Sequence, residues 1–110
     1  MSSREERIGL NEAVFREVNE RIENLADRFE LNDEPLDLVC ECGDSDCVRR
    51  ISMTRAEYEE LRSDPRQFAV HPGHEYAEVE EVIERRKGYD IVAKNEGVPE
   101  RIAEQTDPRA

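Results

Sequence analysis

The three cysteines of the chain, Cys40, Cys42 and Cys47, all lie within eight residues. Thiolates are preferred ligands of zinc, which takes four ligands in a tetrahedron. Cys40 and Cys42 lie two positions apart, so on a strand both side chains point to the same side, and one ion can take both sulfurs. Gly43, in the segment that follows, permits a tight turn that returns Cys47 to the same point. The spacing therefore predicts three sulfur ligands for one metal ion.

The fourth ligand has to come from another segment, and the two histidines of the chain are His71 and His74. We favour His74. On the preceding strand, Phe68, Val70 and Pro72 share one face, which leaves His71 on the other. His74 follows a Pro-Gly reversal that can aim its side chain back at the cysteines. The zinc ligands predicted from the sequence are Cys40, Cys42, Cys47 and His74, with His71 as the alternative fourth ligand.

Other chemistries fit the same residues. The cysteines can be merely buried, with both histidines on the surface, or they can hold an iron–sulfur cluster. A catalytic zinc would leave one position open for water, with Glu75 as general base of a hydrolase. Oxidation of the thiolates could instead release zinc, as in a redox switch. Four candidate protein ligands favour a closed structural site without catalytic residues.

The composition also predicts a metal. The chain has 110 residues, of which 40% are charged and 5% are aromatic, and it has no tryptophan. That is enough for one domain but provides little material for a core, so a stabilising metal, disulfide or partner subunit is expected. The net charge of -12 argues against a nucleic-acid binder and against anionic membrane surfaces, because phosphate contacts need clustered lysine and arginine.

The odd number of cysteines favours metal ligation in a reducing compartment over disulfides. The N-terminal segment Met1-Ser2-Ser3-Arg4-Glu5 is charged, and no apolar stretch of signal-peptide type follows it. No run approaches the roughly 18 apolar residues of a membrane span. We therefore predict a cytoplasmic protein.

The first element predicted is a long amphipathic helix over residues 1–31. Ser3 and Glu6 form a capping-box pattern at its start. Apolar residues then recur at heptad spacing, with Asn11 at one d position. We name this set the heptad seam, and it consists of Ile8, Phe15, Val18, Ile22, Leu25 and Phe29.

A helix of about 25 residues is close to 37 Å long, more than a small body can easily cover. We therefore predict that the heptad seam pairs with another helix, as in a homodimer, or with a protein partner, and that Asn11 fixes the register. In the alternative, the chain is monomeric and the seam is its core.

The remaining sequence predicts an α+β body over residues 36–96. Strands are expected over 36–42, 48–53 and near Phe68, with a short helix that starts at the capping box of Thr54 and Glu57. Residues 79–94 are predicted to form a β-hairpin that turns at Lys87-Gly88, with a helix as the alternative. A short helix and tail follow over 97–110, starting at Pro99. The predicted class is α+β, with a long N-terminal helix, a small zinc-stapled antiparallel sheet and one or two short helices.

The pattern also carries a resemblance. The segments Cys40-Glu41-Cys42-Gly43 and Pro72-Gly73-His74-Glu75, together with Cys47 and the helix over 54–62, resemble a group of short, uncharacterised, largely actinobacterial proteins. The resemblance extends into the first helix, at Asn19-Glu20-Arg21-Ile22. It implies His74 as the histidine ligand, because His71 is not part of the shared segment. From the residues we predict a small protein-interaction or regulatory module with one structural zinc.

Overall fold

The computed structural model describes residues 3–30 and 33–110. Within these residues the chain forms three helices and five strands, and the predicted α+β class is confirmed. The elements are α1 (Arg4–Arg28), β1 (Leu36–Val39), β2 (Arg50–Met53), α2 (Arg55–Arg62), β3 (Gln67–Val70), β4 (Glu80–Arg86), β5 (Tyr89–Lys94) and α3 (Val98–Gln105).

The strands form two antiparallel sheets where the sequence suggested one. β1 pairs with β2, and a three-stranded sheet has the order β3-β5-β4. The sheets meet just after β1, where the backbone N–H of Glu41 donates to the carbonyl oxygen of Ala69 at 2.9 Å. One apolar core lies under β1 and β2 around Leu38 and Tyr58, and a second joins Cys40 and Cys42 to Phe68. The cysteines are thus part of the core.

The β-hairpin predicted for residues 79–94 is present as β4 and β5, so the helical alternative is wrong. Val82 pairs with Val92, and the strands turn at Lys87-Gly88, where Gly88 has a φ of 90° that favours glycine. The β-branched residues of the two strands, Val82, Ile83, Ile91 and Val92, outweigh the helix propensity of the Glu and Arg residues of β4.

Both predicted capping boxes are present. The Ser3 hydroxyl accepts a hydrogen bond from the backbone N–H of Glu6, and the Thr54 hydroxyl accepts one from the backbone N–H of Glu57. In return, the two glutamate carboxylates accept hydrogen bonds from the backbone N–H groups of Ser3 and Thr54. These bonds satisfy amide groups that the first turn of a helix leaves unpaired. Within the described residues, no helix combines the length and the apolar composition that a membrane span requires.

Helix α1 lies along the body in an unexpected orientation. The body covers one face of it from Ile8 to Ala26, so the expectation that a small body cannot cover such a helix is wrong. The covered face is mostly polar, and its buried residues are Ile8, Gly9, Glu12, Arg16, Asn19, Glu20, Glu23 and Ala26. The heptad seam as a whole is therefore not the core, which contradicts the packing expected in the monomeric alternative, whereas the choice between monomer and dimer stays a prediction.

The heptad seam is divided between the body and the surface. Ile8 is buried and Ile22 packs against the larger core, whereas Val18, Leu25 and Phe29 are 38%, 51% and 71% exposed. Asn11 donates to the carbonyl oxygen of Gly43 at 2.8 Å. Its amide is therefore engaged within the chain, which contradicts its predicted role in fixing the register of a helix pair.

Polar contacts attach α1 to the body, because its covered side chains form hydrogen bonds with backbone groups of other elements. Asn19 both donates to the carbonyl oxygen and accepts the N–H of Val39, at 2.9 and 2.8 Å, as a neighbouring strand would. Arg16, 1% exposed, donates to the carbonyl oxygens of Pro65 and Ala103 at 2.7 and 2.8 Å and stacks on Phe68. Buried polar groups bonded in this way favour one orientation of the helix.

Candidate metal centre

The structure brings Cys40, Cys42, Cys47 and His74 together. Their sulfur and ring-nitrogen atoms all lie within 4.8 Å of one another, and Nδ1 of His74 is 3.6 Å from the sulfurs of both Cys40 and Cys47. With bonds of about 2.3 Å to sulfur and about 2.0 Å to nitrogen, a regular tetrahedron places a sulfur and a nitrogen about 3.5 Å apart. The cluster therefore has the dimensions of a four-ligand metal site.

The cysteines occupy a turn at the end of the β1–β2 pair. The N–H of Cys40 bonds the carbonyl oxygen of Arg49 at 3.0 Å, which extends the pairing past β1. The N–H of Cys47 bonds the carbonyl oxygen of Asp44 at 3.0 Å and closes the turn. Cys40 and Cys42 are each 1% exposed, and Cys47 is half-buried. The alternation on which the sequence argument relied thus directs two thiols inward.

His74 reaches the cluster from the turn that follows β3. Its N–H bonds the carbonyl oxygen of His71 at 2.9 Å. Gly73 within this turn has a φ of 87°, which β-carbon-bearing residues rarely adopt. The Pro-Gly reversal therefore aims the His74 ring at the thiols, in agreement with the sequence argument.

His71 lies beside the cluster but outside it. Its ring nitrogen Nε2 is 2.9 Å from a guanidinium nitrogen of Arg49. Its backbone N–H, however, donates to the sulfur of Cys40 at 3.1 Å. Such a bond stabilises negative charge on a thiolate ligand, so His71 supports the centre through its main chain.

The thiols influence one another strongly. The side-chain hydrogen bond between Cys40 and Cys42 raises the pKa of Cys40 and lowers the pKa of Cys42 to about 5. Burial raises the pKa of Cys47. One negative charge thus forms readily in the cluster, and further ones are disfavoured. A bound cation reverses this preference, because a metal-coordinated thiol loses its proton outright.

Glu75 lies at the edge of the centre. Together with Cys42, Asp44 and His74 it lines a shallow depression of about 220 Å³. Its oxygen Oε1 is buried and has no hydrogen-bond partner within residues 3–30 and 33–110. Glu75 therefore lies where a general base would have to lie, beside the centre and with a carboxylate oxygen that is not engaged by the described residues.

Sequence reasoning missed a buried polar cluster directly behind the centre. Glu41, between the two inward cysteines, points the opposite way and is 0% exposed. Its carboxylate accepts two hydrogen bonds from Arg62, at 2.6 and 3.1 Å, one from Asn19 at 2.7 Å and one from the N–H of Ala69 at 3.0 Å. The only signal in the sequence is a glutamate at a strand position flanked by buried residues.

Comparison with known proteins identifies no relative. No protein-family model matches the chain, and neither a curated protein nor a solved structure shows detectable similarity to it. The conclusions about function therefore rest on the geometry of this chain.

Proposed function

We propose that the protein binds one zinc ion through Cys40, Cys42, Cys47 and His74, and that this ion is structural. The observation that carries the proposal is the mutual approach of the four ligand atoms to within 4.8 Å, with sulfur–nitrogen separations of 3.6 Å. Three sulfurs and one imidazole are a ligand set typical of structural zinc. Four protein ligands leave no position for a water molecule or a substrate.

The position of the centre explains what the ion would stabilise. Cys40 and Cys42 follow β1, Cys47 precedes β2, and His74 follows β3, so the ion would link the two sheets. The same turn contacts α1 through the bond between Asn11 and Gly43. In a chain with few large apolar residues, such a link substitutes for part of the missing core.

The wider role that fits these features is a small acidic interaction or regulatory module of a reducing compartment such as the cytoplasm. All three cysteines are free thiols, which agrees with metal ligation there. Helix α1 presents apolar side chains on its exposed side, as a binding module requires. Membership of the resembling actinobacterial group is part of this proposal and rests on the Pro72–Glu75 and Cys40–Gly43 segments.

A second candidate function is zinc-dependent hydrolysis. It is favoured by Oε1 of Glu75, which has no hydrogen-bond partner among the described residues and lies by the depression beside His74. It requires one of the four ligands to leave the ion so that a water molecule can bind. Cys47 and His74, which are half-buried, are nearer to solvent than the buried Cys40 and Cys42. We rank this candidate second because the closed set needs no such rearrangement.

Metal analysis of the purified protein tests the proposal. We expect one zinc per chain, and tetrahedral d–d absorption together with sulfur charge-transfer bands after replacement by cobalt. His74→Ala should lower zinc occupancy, whereas the matched variant His71→Ala should keep it, because the backbone N–H of His71 remains. The assignment would be refuted if the purified protein contained no metal, or if zinc occupancy were lost in His71→Ala and kept in His74→Ala. A fifth or exchangeable oxygen ligand in the X-ray absorption spectrum would favour the hydrolase.

A further inference from the structure

The outward side of α1 carries a continuous apolar surface. We call it the outer face of α1, and its residues are Leu10, Val14, Val18, Leu25 and Phe29, which are 38–71% exposed. At about 100° per residue these side chains form one stripe on the side opposite the polar residues that contact the body. A groove of about 440 Å³ runs beside the stripe, lined by Leu10, Val14 and Val18 and by Thr106 at the end of α3.

Helix α1 also differs from the chain as a whole in its charge. The chain as a whole has a net charge of -12. The exposed charged residues of α1 have a net charge of +1, because they are four arginines and three acids, namely Arg4, Glu5, Arg7, Glu17, Arg21, Asp27 and Arg28. Two copies can therefore approach each other through this side without bringing their acidic surfaces together.

We propose that the outer face of α1 binds the same face of a second copy, with the two helices antiparallel. A two-fold axis close to Val18 would set the Leu10–Val14 end of one helix against the Leu25–Phe29 end of the other. It would also bring Glu17 of each copy beside Arg21 of its partner. Within one chain these two residues form only an exposed pair at 3.6 Å, so both charges are available across the axis.

The contact area sets the expected strength. The helix is about 37 Å long, and a single helix pair lies at the low end of specific interfaces, near or below about 1,200 Å². Weak, transient complexes lie at this end of the range, so we expect a dissociation constant of roughly micromolar size. The side chains of the outer face that association would bury are apolar and exposed in the monomer, so few polar groups of this face have to lose their bound water.

Sedimentation of the zinc-loaded full chain tests the pairing across a roughly hundredfold concentration range around the expected micromolar constant. We expect a reversible monomer–dimer equilibrium. Val18→Asp puts two like charges beside the axis and should weaken the dimer at least about tenfold. Val14→Asp is a second variant at a more exposed position, and Ile83→Asp on β4, 48% exposed, is the matched control that should not weaken it.

Charge exchange tests the antiparallel geometry. Arg21→Glu should weaken the dimer, and Glu17→Arg combined with Arg21→Glu should restore it, because the pairs across the axis are then reversed but complete. A wild-type chain that stays monomeric throughout the range overturns the proposal. So does a dimer that is insensitive to Val18→Asp, or a double exchange that fails to restore pairing. Zinc content measured on the same samples separates this result from the fate of the metal centre.

Discussion

The side-chain amide of Asn11 donates a hydrogen bond of 2.8 Å to the carbonyl oxygen of Gly43, and so connects α1 to the turn that carries the cysteines. Beside this bond, Gly43 packs on Ile8, which is 3% exposed. The helix and the candidate metal centre therefore share one contact. A change on either side of this contact should therefore alter the stability of the other side.

Gly43→Ala should destabilise the fold by about 1–3 kcal/mol, the usual cost of overpacking. A β-carbon at this position would lie 2.5 Å from Cγ2 and 3.2 Å from Cβ of Ile8, so the buried side chain of Ile8 must move. Chemical denaturation of both proteins measures the difference. Gly9→Ala is the control, because its nearest neighbour, the Ile102 side chain at 3.0 Å, can shift. Equal losses in the two variants would contradict the prediction.

Removal of zinc by a strong chelator should lower the melting temperature markedly, because structural zinc contributes on the order of 10 kcal/mol in small domains. Hydrogen exchange should speed up first at residues 40–47 and 71–74, and then in the first half of α1 through Gly43. Cys47→Ser should reproduce both effects, whereas Ser45→Ala, an exposed change in the same turn, should not. Melting that is unchanged by the chelator would show that the thiols are only core residues.

Glu41→Ala should cost about 3–5 kcal/mol, because it leaves the buried guanidinium of Arg62 without a counter-ion. Their side chains are 0% and 2% exposed. The matched control is Asp37→Ala, which breaks the pair with Arg50, whose side chains are 76% and 54% exposed. An exposed pair contributes about 0–1 kcal/mol. Urea denaturation measures both, and similar losses would show that the Glu41 pair is not energetically special.

Glu23 should make the protein less stable as the pH rises. Burial, together with the nearby charge of Glu59, raises the pKa of Glu23 to about 7, against an ordinary value of 4.5. Its protonated form is therefore favoured in the folded state. This contribution is complete below about pH 4.5 and is lost as the pH rises through about 7.

Glu23→Gln should therefore stabilise the protein at pH 8, by at most about 3.5 kcal/mol, since one pKa unit corresponds to about 1.4 kcal/mol. The amide oxygen can still accept from Arg109, which is 3.0 Å from Oε1 of Glu23. The measurement is the difference in unfolding free energy between wild type and variant from pH 5 to 8, in which metal effects common to both cancel. A difference that does not change with pH would contradict the raised pKa.

Local sequence rules were sufficient for most of the elements. Ser3 with Glu6 and Thr54 with Glu57 mark the starts of two helices, because a capping box involves only four consecutive residues. The Lys87-Gly88 turn and the strand sequence over 89–93 identify the last hairpin for the same reason. The proximity of His74 to the cysteines followed from a strand period of two and a Pro-Gly reversal.

The orientation of α1 could be decided only by the tertiary structure. Its apolar spacing predicted that Val18, Leu25 and Phe29 would be covered, whereas the body covers Asn19 and Arg16 instead. The sequence determines which side chains share a face of a helix, because that depends on the 3.6-residue period alone. Which face is buried depends on partners distant in the chain. Asn19 needs the open backbone groups of Val39, and Arg16 needs carbonyl oxygens near residues 65 and 103, and only folding brings these acceptors to the helix.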